Sequence, residues 1–158
     1  MKAASIKEIR QGMAHLSQKE LVNLIVKLGV FKKENKELLT YLLFEAEDED
    51  AYIRSIKSEM DEQFAAVNRR SYYTIKKEMR KILRSIKKHI RYSKKTATEV
   101  ELLLYFCLKM KEFSPSIRRS TVLMNIFNKQ TEMIEKRIPK LHEDLQFDFQ
   151  ETLTSLRD

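Results

Sequence analysis

An all-α fold follows from three observations on this sequence. Apolar residues recur in steps of three and four, and no stretch alternates apolar and polar as a strand does. The 158 residues hold only two Gly and two Pro, against average usage of roughly 7% and 5%, so the turns of a many-hairpin β-protein are missing. Lys, Glu, Leu, Ile and Met are abundant, and these residues favour helices. The expectation is a single domain over residues 1–158. It should be one irregular bundle of about seven to eight helices in antiparallel pairs, with a short α-solenoid as the alternative. The pairs differ in length and share no repeated pattern, which favours the bundle.

Ser5 to Met13 fits a short helix with Ile6, Ile9 and Met13 inward. Ser17 and Glu20 have capping-box spacing, with Leu16 and Leu21 placed as a hydrophobic staple. The helix that follows presents Leu21, Leu24, Ile25 and Leu28, and Gly29 is expected to end it in a left-handed cap. A partner helix over Lys33 to Phe44 carries Leu38, Leu39, Leu42 and Leu43, so the two read as an antiparallel hairpin. The acidic run EAEDED, Glu45 to Asp50, reads as a loop and a helix start, where acids favour the dipole. It lacks the glycine that a calcium loop needs for its turn. The next helix buries Ile53, Ile56, Met60, Phe64 and Val67, and Asn68 marks a break.

Past the basic stretch described below, Thr96 with Glu99 offers a capping box, and Thr98 competes as the cap. ELLLYFCLKM is apolar nearly all round, which marks a helix buried on most sides and the centre of the core. Ser114-Pro115 suggests a cap followed by proline at the first helical position. The helix from there carries Ile117, Val122, Leu123, Ile126, Phe127, Met133, Ile134 and Ile138, and Pro139 interrupts it. A last helix, Leu141 to Leu156, shows Leu145, Phe149, Leu153 and Leu156.

The segment His15 to Glu45 resembles the opening of an uncharacterised family of small all-helical bacterial proteins with no assigned function. The motifs that carry the likeness are an L-S-x-x-E-L capping box at Leu16–Leu21 and a K-x-N-K-E-x-L helix at Lys33–Leu38. Glu101 to Phe113 is similar to a later helix of that family. The resemblance implies an all-helical domain and no chemistry, and the basic central helix is not part of it.

Nothing in the sequence points to catalysis, so the expectation is no enzyme, no cofactor and no metal. His15, His89 and His142 have no second His or Cys at helical ligand spacing. Cys107 sits inside LLLYFCL and reads as a buried small hydrophobe in a reducing compartment. Gly12 and Gly29 cannot build a phosphate-cradling loop. The N-terminus has no apolar core of a secretory signal, and the apolar run Leu102–Leu108 is far short of the roughly 20 residues of a membrane span. A cytoplasmic protein is expected.

The distinctive stretch is Arg69 to Lys95. It holds twelve Lys/Arg and one acid, Glu78, so its net charge of +11 exceeds the +8 of the whole chain. Tyr72, Ile75, Met79, Ile82, Leu83, Ile86 and Ile90 form one helical stripe. Lys76, Lys77, Arg80, Lys81, Arg84, Lys87, Lys88 and Arg91 fan over roughly 140° of the cylinder beside it. These eight are the candidate binding residues for a polyanion or an acidic partner. The plain reading is a solvated face balanced by acids of neighbouring helices, Glu45–Asp50 among them. The functional readings are a non-catalytic interaction module that meets an acidic protein surface or self-associates, or a nucleic-acid binder without sequence preference. A membrane surface or a helix-binding groove would need the apolar stripe free. Tyr72, Tyr73 and Tyr92 stand at the ends of the stretch, where they could stack on bases.

Overall fold

The computed structural model describes all residues, 1–158. It is all-α and contains no strand. The helices are α1 (Ile6–Met13), α2 (Gln18–Phe31), α3 (Lys33–Thr40), α4 (Glu49–Ala65), α5 (Tyr72–Ser93), α6 (Thr96–Lys111), α7 (Thr121–Arg137) and α8 (Glu143–Arg157). A π-helical turn occupies Tyr41–Glu45, and 3-10 turns occupy Ile117–Arg119 and Ile138–Lys140. The chain comprises two compact units, Met1–Phe44 and Glu45–Asp158, within the span expected as one domain.

In the first unit, Ser17 and Glu20 form the expected capping box at the start of α2. Ser5 and Glu8 form a second one on α1 that the sequence reading passed over. Two expectations fail here. Ile6 and Ile9 are exposed and Met13 is only half-buried, and α1, α2 and α3 contain no buried residue. Gly29 does not end α2, which runs on to Phe31 and stops at an extended Lys32. Gly29 instead lets α3 come close, since a Cβ there would meet Leu39 Cδ1 at 3.1 Å. The side chain of Asn35 clasps the same corner by donating to the Leu28 carbonyl at 2.7 Å.

In the second unit α6 lies at the centre, packed against α4, α5, α7 and α8. Its apolar residues are buried from Val100 to Met110, Tyr105 and the exposed Leu108 excepted. α4 contributes Ile53, Ile56, Met60 and Phe64, and Val67 after it is buried as expected. Phe64 bridges Phe106 and Phe113, with ring centroids 5.7 and 6.2 Å apart. α7 adds Leu123, Phe127 and Ile134, and α8 adds Leu153 and Leu156.

Several expected helix ends are corrected. Thr96 is already in the first turn of α6, whose N-cap is Lys95 without a side-chain cap. The reason is that Lys94 takes the left-handed conformation that closes α5 (φ 57°), and only Lys94 and Lys95 separate the two helices. Ser114-Pro115 is a cis bond and starts no helix. Ile117 sits in its own 3-10 turn, and Ser120 caps α7. Pro139 does break the chain, in the 3-10 turn between α7 and α8.

Polar clips decorate this core. Lys57 pairs with Glu101 at 2.6 Å, Arg137 with Glu99 at 3.1 Å, and Arg157 grips both oxygens of Glu135 at 3.0 and 2.9 Å. Asp61 accepts from Tyr105 Oη at 2.8 Å and from Lys109 at 2.9 Å. Burial, then the Asp61 carboxylate, pushes the Tyr105 phenol up to about 12. Spectrophotometric titration should therefore show Tyr105 ionising at about 12, above the ordinary phenol value of about 10. Any stability this contact contributes is present below the ordinary phenol pKa and fades as pH rises through the raised one. Asp61→Asn should return that tyrosine toward its ordinary range, and an unmoved late ionisation would assign it to another residue.

Candidate polyanion-binding surface

The surface starts from the way α5 is anchored. Ser71 caps the helix by accepting from Thr74 N–H. Ile75, Met79, Ile82 and Ile86 are all buried and hold one side of α5 against the core. At about 100° per residue, Lys77, Arg80, Arg84 and Arg91 then stand on the far side. Those four and Lys81 are exposed, and Lys76, Lys87 and Lys88 are half-buried. The strip from Tyr73 to Arg91 is about 27 Å long at the helical rise.

The decisive observation is what is missing from this strip. Lys76, Lys77, Arg80, Lys81, Arg84, Lys87 and Arg91 have no carboxylate within 4.0 Å. Lys88, the eighth expected residue, is not free of partners. Two of the acids in the run expected to balance the strip are used elsewhere. Asp48 caps α4, and Glu49 binds Lys95 at 2.9 Å. Glu99 is committed to Arg137. The Lys87 ammonium is held below its ordinary pKa by partial burial first and by the Lys129 cation second, with Glu99 opposing. Lys129 of α7 therefore adds to the same positive field.

Of the three tyrosines, one is available. Tyr92 is buried, and Tyr72 donates its hydroxyl to the Ser116 carbonyl at 2.9 Å. Tyr73 is 66% exposed and lies on the outward face of α5. The ammonium groups of Lys76 and Lys77 sit 4.9 and 6.0 Å from its ring centroid, a cation–π arrangement. The Tyr72–Ser116 bond also ties the 3-10 turn to the start of α5. Exposed Arg118 and Arg119 lie on that turn. The sequence reading missed Lys129, because it reaches this surface from a distant part of the chain.

The other candidate groups are tied down. His89 faces Tyr52, with Nδ1 3.2 Å from the phenol oxygen, and packs edge-on to Tyr92. His142 caps α8, and Cys107 is buried, its thiol pushed up to about 12. No three His, Cys, Asp or Glu side chains converge on a point where a metal ion would sit. No helix is long and apolar enough to cross a membrane. No family model, curated protein or solved structure matches this chain.

Proposed function

We propose that this chain is a non-catalytic binding module and that the outward face of α5 holds a polyanion, nucleic acid before an acidic protein. The observation that carries this is the uncompensated row of seven cations on one rigid helix. A row balanced by carboxylates would have supported the structural reading instead. Tyr73 favours nucleic acid over an acidic peptide, because an exposed ring flanked by cations suits a base stacked beside its own phosphate. Contacts of this kind fix position and affinity and read no sequence directly.

The test is fluorescence anisotropy with labelled random single and double strands. If the five exposed cations each neutralise one phosphate, the log–log salt slope on duplex should be about −4.5. Reversing Lys77, Arg80 and Arg84 to Glu should abolish binding and leave the melting transition in place, because the buried stripe is untouched. Tyr73→Ala should weaken single strands by about 5- to 100-fold, the worth of one base–aromatic stack, and spare duplex. Micromolar protein that leaves every strand unshifted at roughly 50 mM salt would end the nucleic-acid reading. A reversal that unfolds the chain would return the cations to a structural role.

A further inference from the structure

The helical hairpin α2–α3 is built like the interior of a protein and has almost no interior of its own. Polar residues of α2 are confined to Gln18, Lys19, Glu20, Asn23 and Lys27. From Lys19 onward these leave apolar positions over all but about 100° of the cylinder. A helix of that kind is normally enclosed on most sides. Here α3 covers one side, at Gly29, and Tyr41 is the only buried side chain in Met1–Phe44. Val22, Val26 and Val30 form a ridge at i, i+4, i+8 that is 51, 57 and 81% exposed, and Phe31 is 76% exposed.

We propose that this hairpin is a dimerisation element. The α2–α3 pair of one copy docks on that of a second copy along the Val22–Val26–Val30 ridge, and together they make a four-helix bundle. The proposal is independent of the α5 reading, since it uses other residues on another unit.

Three considerations select a second copy as the occupant. The first is area. Ten apolar side chains from Val22 to Phe44 are at least 37% exposed. At about 100 Å² each they uncover on the order of 1,000 Å² in all, spread round α2 and over the π-helical turn, so the ridge and its neighbours supply part of the ~800 Å² each partner gives a stable interface. The second is size. A unit of 44 residues without a disulfide is at the limit where oligomerisation usually supplies the missing core. Two hairpins of this kind complete a four-helix bundle. The third is charge. Lys19, Glu20 and Lys27 on α2 and Lys33, Glu34 and Lys36 on α3 interleave both signs. Each copy thus offers cations and anions to the other, as an isologous contact needs. A helix lying on a membrane would instead show one apolar face and a strongly charged opposite face.

The experiment is sedimentation velocity on the full chain across a concentration series up to about 100 μM, well above the dissociation constant expected of a standard-sized interface. A dimer is expected, and Val26→Glu should shift it to monomer. Glutamate is at least as good a helix former as valine, so helicity by circular dichroism should hold. As a second variant, Val26→Cys treated with a short bismaleimide should yield covalent dimers, with the buried Cys107 silent. A monomer across the whole series would overturn the proposal, as would a dimer indifferent to Val26→Glu. So would a monomer that co-sediments with phosphatidylcholine–phosphatidylserine vesicles through the same ridge.

Discussion

Replacing Phe106 by alanine is expected to destabilise the Glu45–Asp158 unit by about 3–5 kcal/mol. Phe106 has no exposed surface, and its ring lies against Phe64 at 5.7 Å. Phe64 in turn touches Phe113, so the cavity would open into a cluster already held from two sides. Collapse offers little relief, because α6 is braced by α4, α5, α7 and α8 together. With total stabilities of about 5–15 kcal/mol, such a variant sits near the edge of folding. Leu104→Ala, at a residue 4% exposed, should lose about 2–5 kcal/mol. Leu108→Ala is the control on the same helix, since Leu108 is 37% exposed and its loss should cost under about 1 kcal/mol. Urea melts followed by far-UV circular dichroism give the comparison. A Phe106→Ala loss below about 1 kcal/mol would move α6 to the periphery.

The central place of α6 was legible because its apolar residues leave no polar face, a property of local sequence alone. The apolar residues of α2 gave the opposite outcome. Leu24, Ile25 and Leu28 have the apolar character of an interior, yet they are 37, 43 and 52% exposed, and the sequence does not say whether an enclosing partner is in the same chain. Gly29 was misread for a related reason. Glycine serves both a left-handed cap and a close approach of two helices, and only the position of Leu39 separates the two. Thr96 and Glu99 have capping-box spacing but not its geometry. The left-handed Lys94 had already placed Thr96 inside the helix, and Arg137 had taken Glu99.

The cation strip was legible to the same extent as any helical periodicity. Eight residues were named, and the buried stripe of Ile75, Met79, Ile82 and Ile86 turns most of them outward. Compensation was not legible, because carboxylates arrive by tertiary contact. Asp61, Glu99, Glu101 and Glu135 each answer a cation outside the strip. Nor does sequence separate Tyr73 from Tyr72. One residue of phase sends the first into solvent and the second to the Ser116 carbonyl.

Glu49→Ala is expected to cost about 2–4 kcal/mol, more than its place in an acidic run suggests, because it strands buried donors. The Glu49 carboxylate accepts from the Ser93 hydroxyl at the end of α5 and, at 2.6 Å, from Thr98 Oγ1 in the first turn of α6. Lys95 Nζ, from the link between them, completes the clasp at 2.9 Å. One side chain on the first turn of α4 therefore fastens the corner where α5 passes into α6. Thr98 is 1% exposed and Ser93 9%, so water cannot readily replace the lost acceptor. A buried hydroxyl without a partner costs roughly 1–3 kcal/mol, whereas an exposed ion pair such as that with Lys95 adds ~1 kcal/mol or less. The order of variants follows from that difference. Lys95→Ala should be nearly neutral, and Glu49→Gln should fall between, since its amide oxygen in the place of Oε1 still accepts from both hydroxyls while its amide nitrogen faces Lys95. The double variant Glu49→Ala/Thr98→Val should recover part of the loss by removing the stranded donor together with its acceptor. Denaturant melts of the four variants decide it. If Glu49→Ala proves as mild as Lys95→Ala, the hydroxyls have found other partners and the clasp does not hold the corner.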